Sequence, residues 1–412
     1  MFTTLFVFTI LLLDTFVAST LWVAYQNNAP KRKRLLQIHL VLSVFFIVLL
    51  FVYRYAIDRS EISLTVRQAM ALCFMWLYFT KLWIGILFWI AFAISKSRLR
   101  KPKPKPITNA KTPEKTISRA QFLERITLAT GGVSLGLGLL GTQYNLYDYQ
   151  IHHIVVKLPC LPKALRGLKI AQISDIHAGS LTNRLAVKGG FEMLMREKPD
   201  LICFTGDLVN YDTTEIQGFG PLFTSLKAPL GVFSCLGNHD YGDYKGWSSL
   251  QAKRKNLDML IEAQRKFGWQ LLIDKHTYIE AQGEKIALIG VGNWSNIGKF
   301  PRYGKLATAQ AGIDEQVSTH ILLSHDPTHW DAQVRTQTPK TSLMLAGHTH
   351  GMQMGIEWGN FRFSPAQLVF DQWAGLYQKG EQYLYVNRGF GYSDAFPLRL
   401  GILPEITVFT LT

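Results

Sequence analysis

The chain has 412 residues, enough for two or three domains, with 48% hydrophobic residues and a net charge of +15. Such a chain suits nucleic acid or a membrane, so the position of the charge decides. Up to Arg125 there are 18 Lys+Arg against 5 Asp+Glu; beyond it there are 26 against 24, which leaves the remainder without an electrostatic footprint for DNA or RNA.

The basic part alternates long apolar runs with short charged loops. Runs over 4–25, 35–53, 69–94 and 126–147 each have about the length a membrane span needs, roughly 20 helical residues. The fourth is Gly-rich. The first loop carries Lys31, Arg32, Lys33 and Arg34, and a basic linker over 95–125 carries ten Lys+Arg against Glu114 and Glu124. Positive loops stay cytoplasmic, so four spans place both termini outside. If 126–147 does not cross, the C-terminal part is cytoplasmic instead. The expectation is an integral protein of a bacterial inner membrane, with membrane lipids as partners, its C-terminal domain on the periplasmic or extracellular side. Asp14 and Lys81 lie inside apolar runs, as a structural pair or as a functional site. The Lys-Pro alternation from Lys101 to Pro106 reads as an extended linker at an anionic leaflet, or as a specific lipid site. The segment from Ser118 to Leu123 resembles a twin-arginine export signal but has Ala120 where the second Arg belongs. The four cysteines, Cys73, Cys160, Cys203 and Cys235, have no ligand spacing and read as small buried hydrophobes.

After about Lys157 the pattern changes to short apolar strands that end in polar clusters. Strand 168–173 runs into Ser174-Asp175-Ile176-His177, and 201–205 into Gly206-Asp207-Leu208-Val209-Asn210. Strand 232–236 runs into Gly237-Asn238-His239-Asp240, 320–323 into Ser324-His325-Asp326, and 343–346 into Gly347-His348-Thr349-His350. Sites in open α/β sheets are built at this edge. Asp, His and Asn suit Mn, Fe, Zn or similar divalent ions, and there are enough of them for two. Two ions about 3.5–4 Å apart can activate a water and hold both ends of a phosphoryl displacement.

These five clusters resemble the calcineurin-like metallophosphoesterase family, whose pattern is DxH, GDxx, GNHD/E, an isolated His and GHxH. The tail, with Gly375-Leu376-Tyr377, Asn387-Arg388-Gly389, Pro397-Leu398-Arg399 and Pro404-Glu405-Ile406, resembles the membrane-anchored bacterial branch of that family. The resemblance implies an α/β fold, a four-layer α/β sandwich, for the domain over 151–412; the apolar runs and basic loops predict an N-terminal multi-span helical membrane region over 1–150 before it. It implies that Asp175, His177 and His350 bind one metal, that Asp207 bridges, and that Asn238, His325 and His348 bind the second. His239 would act on the substrate phosphate or the leaving oxygen, with Asp240 orienting it. Asn210 and Met352 stand where the branch often has Asp and Gly. Met352 suggests a more apolar rim, suited to a lipid-bearing substrate, or simply packs.

His152, His153, His276, His320 and His329 lack a partner motif and read as ordinary surface or interior residues, His329 being the nearest to the site. The stretch from Trp247 to Phe267 reads as an amphipathic helix with a solvated basic face. The expected activity is hydrolysis of a phosphoester, monoester or diester, in a lipid-linked or envelope-associated substrate, with no nucleic acid as partner. The alternatives are a metal-bound but inactive membrane sensor, a nuclease, and, for a cytoplasmic domain, a hydrolase of a nucleotide-linked acylated sugar.

Overall fold

The computed structural model describes residues 2–59, 64–98, 119–359, 361–394 and 396–412. The chain divides into two compact units, the first ending at Leu140 and the second running from Gly141 to Thr412. The Lys-Pro run at 101–106, Ser118 of the export-like segment and Glu61 of the second loop lie outside the described residues.

The first unit is helical, with α1 Phe2–Ala24, α2 Ala29–Arg59, α3 Leu64–Arg98 and most of α4 Arg119–Gln143. The sequence predicts four spans. Among the described residues, one helix, Leu72–Ile94, is long and apolar enough to cross a membrane, and Ile10–Ala24 is a shorter apolar helix. Large apolar side chains stand exposed along α2 (Leu40, Val41, Val44, Phe45, Val48) and α4 (Leu128, Val133, Leu139). Asp14 and Lys81 pair across α1 and α3, with Nζ 2.7 Å from Oδ1. Ser43 Oγ accepts a second bond from Lys81 at 2.9 Å, and Tyr78 donates to Asp14. Burial of both charges is tolerable because each has its counter-ion and further hydrogen bonds.

The second unit contains fourteen strands in chain order: β1 Gln150–Val156, β2 Lys169–Ile173, β3 Leu201–Phe204, β4 Val232–Ser234, β5 Trp269–Leu271, β6 Lys275–Ala281, β7 Glu284–Gly290, β8 His320–Leu323, β9 Thr341–Ala346, β10 Ile356–Trp358, β11 Phe361–Phe363, β12 Gly375–Lys379, β13 Gln382–Val386 and β14 Glu405–Leu411. They form two six-stranded mixed sheets, ordered β1-β14-β2-β3-β4-β5 and β12-β13-β9-β8-β7-β6, and a separate hairpin of β10 and β11. Strands β2, β3 and β4 run parallel, as do β7, β8 and β9. The polar clusters that follow them therefore emerge at corresponding edges.

Strand alternation sorts the apolar residues into layers. Ile170, Leu201, Cys203 and Phe409 of the first sheet meet Leu288, Ile321, Leu323, Leu343 and Leu345 of the second. The opposite face of the first sheet, with Ala171, Ile173, Ile202 and Phe204, is covered by Val187, Phe191 and Leu194 of α5 Arg184–Arg196, Phe223 of α6 Gly220–Ser225 and Leu260 of α7 Leu250–Lys266. The opposite face of the second sheet, with Ile289, Leu322, Met344 and Val386, packs on Leu306, Ala309, Trp330 and Val334. The order helix, sheet, sheet, helix gives four layers. The polar residue Gln172 crosses the middle, its Nε2 donating to Thr205 Oγ1 and to the Ala346 carbonyl, both at 2.9 Å.

Two helix starts follow from capping. Asn183 accepts from the amide of Ala186 before α5, and Ser249 from the amide of Ala252 before α7. On α7, Lys253 pairs with Asp243, and Arg265 and Lys266 with Glu262, which gives the helix a solvated basic face. The cysteine expectation needs correction. Cys203 in β3 and Cys235 just after β4 are buried, but Cys73 and Cys160 are exposed, Cys160 because it lies in the connection between β1 and β2.

Candidate metal centre

Asp175, Asp207, Asn238, His325, His348 and His350 leave the ends of β2, β3, β4, β8 and β9, where the parallel strands of both sheets deliver them to one place. The loops interlock through their backbones. The amide of Asp175 donates to the Gly206 carbonyl, that of His177 to Asp207, and that of Gly347 to His325. The amide of His348 donates to the Asp175 carboxylate at 3.1 Å, tying the two sheets' loops together. Close approach at Gly347 leaves no room for a side chain, because a Cβ there would lie 2.1 Å from Ser174 Oγ and 2.2 Å from Asp175 Oδ2.

The backbone pays for this convergence. Asp175 (φ 53°), His177 (48°), Asp207 (59°), His348 (72°) and His350 (49°) are all left-handed without being glycine. Such residues cost about 1–2 kcal/mol each and cluster at functional sites.

The donor atoms form three overlapping groups, each within 4.8 Å: Asp175 with His177 and His350, His177 with Asp207 and His239, and Asp207 with His325 and His348. Asp207 belongs to two of them, its Oδ2 lying 3.7 Å from His177 Nε2 and 3.0 Å from His325 Nε2. His177 Nε2 and His350 Nε2 face each other at 3.1 Å, with Asp175 Oδ1 3.3 Å from the latter. Asn238 Oδ1 lies 2.8 Å from His348 Nδ1.

These residues fit divalent metal ions. His325 Nδ1 lies 2.7 Å from the Thr205 carbonyl and donates to it, which turns Nε2 inward. Although 3.0 Å from Asp207, that Nε2 is outside hydrogen-bond geometry and has no partner. Burial, and next the neighbouring His239, holds the His177 imidazole down at about 3, and burial holds His348 at about 4. Burial, with His177 and Arg399 adding to it, keeps His350 well below its ordinary value. These imidazoles are neutral, as ligands must be. Burial lifts Asp175 to about 6. Burial also opposes ionisation of Asp207, but the charges on His325 and His239 outweigh it and hold its pKa well down. Burial opposes a charged His325 too, yet Asp207 and Asp175 outweigh it and raise it to about 10. The field that holds this proton is one that attracts a cation.

The role expected of Asp240 needs correction. Its buried carboxylate accepts from the amides of Gly237 and Asp207 at 2.9 Å and Leu208 at 2.8 Å. It therefore clamps the loops after β3 and β4. Burial, followed by the charge of Asp207, pushes its carboxyl up to about 7. His239 is oriented by a different group, the Asn210 carbonyl, 2.7 Å from its Nδ1. This pairing leaves its Nε2 free of that bond, and the ring lies 4.9 Å from that of His177 and 4.4 Å from that of Tyr244.

Other residues support the centre without being among the expected ligands. Asp326 follows His325 in sequence, and its Oδ2 lies 3.4 Å from His348 Nε2, a close approach outside hydrogen-bond geometry. Glu215 accepts from the amides of Gly179, Asn210 and Tyr211 and so fixes the loop that orients His239. Arg399, fully buried, donates to the carbonyls of Arg388, Gly389, Gly391 and Ile402, with a long 3.4 Å contact to His350 Nδ1. The adjacency of Asp326 to His325 and the place of Arg399 in the tail quoted for the family resemblance are their only visible signals; Glu215 has none and acts through chain folding. His329 is satisfied away from the centre, by Ser324 Oγ at 2.9 Å and Gln333 Oε1 at 3.1 Å, stacked on Trp294. His153, His276 and His320 have ordinary partners in Glu197, the Ala309 carbonyl and the Val317 carbonyl.

The profile of the calcineurin-like phosphoesterase family matches residues 168–352, the stretch that carries every one of these donors. The uncharacterized metallophosphoesterase YkuE of Bacillus subtilis is 33% identical over 308 residues, covering 72% of this chain and 98% of that protein. Phosphodiesterase YaeI of Escherichia coli is 27% identical, covering 72% and 99%. UDP-2,3-diacylglucosamine pyrophosphatase LpxG of Chlamydia trachomatis is 27% identical, covering 56% and 81%. With this centre and these relatives, the chain belongs to the calcineurin-like phosphoesterase family and is a metal-dependent phosphoester hydrolase.

Proposed function

We propose that the chain is a membrane-held phosphoesterase that works with two divalent ions and takes a lipid-linked or envelope-associated substrate. The observation that carries the two-ion reading is the place of Asp207 between two groups of donors. Asp175, His177 and His350 would hold one ion, Asn238, His325 and His348 the other, with Asp207 placed to serve both. Bound there, Mn, Fe, Zn or similar ions would supply Lewis acidity and an activated water for attack at phosphorus. His239, held by the Asn210 carbonyl through Nδ1, presents Nε2 to the phosphate or to the leaving oxygen. Asp240 keeps the loops of Asp207 and His239 in register.

The membrane assignment rests on the Leu72–Ile94 helix and on the exposed apolar faces of α2 and α4. We assign 1–150 to a membrane region with four spans, 151–412 to the catalytic domain, and the domain to the outer side of a bacterial inner membrane. The likeness to LpxG favours a second reading, hydrolysis of a nucleotide-linked acylated sugar, which requires a cytoplasmic domain. A topology reporter fused after Thr412 separates the two, an outer-side signal supporting the first and a cytoplasmic one the second. The activity itself is tested on the purified full chain with an aryl phosphodiester and each metal in turn. Hydrolysis that a chelator abolishes is expected, and no hydrolysis with any metal sinks the proposal.

A further inference from the structure

The hairpin of β10 and β11 is amphipathic in the wrong sense for a water-facing element. Its register pairs Ile356 with Phe363, Glu357 with Arg362 and Trp358 with Phe361. The polar pair takes one face and is tied to the body of the domain. Arg362 donates to Glu357 at 2.9 Å and to the Ala374 carbonyl at 2.7 Å, and Arg388 donates to Glu357 at 2.7 Å. The four large apolar side chains take the other face, uncovered, with Ile356 55%, Trp358 84%, Phe361 61% and Phe363 42% exposed. An isolated two-stranded hairpin is marginal in water, and a bare apolar face needs an occupant.

That face leads to a cavity beside the metal centre. Met354 and Ser364 are both extended, so Met354 continues the side of Ile356 and Trp358, and Pro365 that of Phe363 and Phe361. Met354 and Pro365 line a cavity of about 310 Å³ whose other walls include Met352, Phe396 and His350. His350 is one of the candidate ligands. From Met354 to Trp358 the strand runs ~13 Å at ~3.3 Å per residue. An apolar strip thus starts at a cavity that His350 lines and leads outward. The tie through Arg388 adds rigidity, since the next residue, Gly389, packs on His350 so closely that a Cβ would lie 2.7 Å from Nδ1.

Resting on the phosphoesterase reading above, we propose that this strip, Met354–Ile356–Trp358 with Phe361, Phe363 and Pro365, is the track for an acyl chain of the substrate. The substrate class is then a phosphoester whose apolar tail lies within one chain length of phosphorus. An acyl chain fits because the strip is narrow, apolar on its open face and leads to the cavity beside His350.

The test uses the full chain in nanodiscs and p-nitrophenyl alkyl phosphates that differ only in the alkyl group, methyl against octyl. The variant is Trp358→Ser with Phe361→Ser, which removes exposed side chains only. In the unsubstituted chain the octyl ester should exceed the methyl ester in kcat/KM by at least tenfold; about four methylenes laid on the face would give on the order of a hundredfold. In the variant that preference should fall to about twofold, with the methyl ester unchanged. No chain-length preference in the unsubstituted chain overturns the proposal. So does a preference that survives in the variant. An equal loss for both esters overturns it as well, by assigning the hairpin to general packing or to bilayer docking. Binding of octylphosphonate against methylphosphonate, by calorimetry on the same samples, reads the track without hydrolysis. If neither ester is hydrolysed but octylphosphonate binds at least tenfold tighter only to the unsubstituted chain, the track stands and the phosphoesterase reading falls; equal binding overturns the track.

Discussion

Replacing Asp240 with Ala separates two roles for this residue. As a partner of His239 it would matter for turnover and little for stability. The geometry places it elsewhere, on the amides of Gly237, Asp207 and Leu208 at 2.8–2.9 Å, fully buried. Its removal leaves these three buried N–H groups unsatisfied, along with the longer 3.4 Å contact from the Val209 amide, and the three alone cost about 1–2 kcal/mol each, or about 3–6 kcal/mol together. That is a large share of the 5–15 kcal/mol typical of a domain. The loss falls on the two loops that carry Asp207 and Asn238, so metal affinity should fall with stability. The assay is a thermal melt of the full chain alongside its metal content after dialysis. The melting temperature should drop by about 6–20 °C for a domain of this size, and metal content should fall below half. A variant with the original melting temperature and metal content but slow hydrolysis would falsify the clamp and restore Asp240 to His239.

Three further substitutions probe neighbouring steps. His239→Ala should leave metal content near normal and lower hydrolysis of an aryl diester by about 10²–10⁴-fold, the range for a general acid or base; unchanged turnover would remove His239 from the chemistry. Gly347→Ala drives a methyl group to 2.1 Å from Ser174 Oγ and 2.2 Å from Asp175 Oδ2, so it should abolish both metal retention and activity, and a variant retaining both would contradict the close approach at β9. Lys81→Met leaves Asp14 buried and unpaired, a loss of about 3–5 kcal/mol seen in detergent melts, which adding Asp14→Asn should largely restore; if the double variant melts no higher than the single one, the pair is not what sets that cost.

The strand ends were legible in the sequence because each combined a short apolar run with a polar cluster after it. Asp175, Asp207, Asn238, His325 and His348 follow strands at the expected places, and the alternation of Ile170 with Ala171 or Leu201 with Ile202 already encodes two buried faces. The pairing of Asp14 with Lys81 was legible as well, since each charge is costly alone. What orients His239 was not. Proximity in sequence pointed to Asp240, but a residue in a tight turn can aim its carboxylate back at the amides before it, while a carbonyl from another strand's loop takes the imidazole. No side-chain pattern announces a backbone carbonyl, so Asn210 could be noticed only for its amide. The hairpin was equally hidden. Its alternation over 356–363 does not say which face turns outward, and the answer depends on Arg388, which lies after two further strands.

The left-handed residues explain why this centre needs the whole sandwich around it. Asp175, His177, Asp207, His348 and His350 together carry about 5–10 kcal/mol of backbone cost. Short loops alone would relax to ordinary conformations and spread the donors apart. Here each loop is anchored at its base by a strand buried on both faces, and cross-linked to its neighbours by amides such as that of His348 on Asp175. The strain is therefore held by the apolar layers on either side of the sheets, and bound cations would offset part of it by drawing the same donors together. It follows that cavities cut in the inter-sheet core, at Leu343 or Ile321, should weaken metal retention although neither residue touches a donor, and that the effect should grow with proximity to the strand ends.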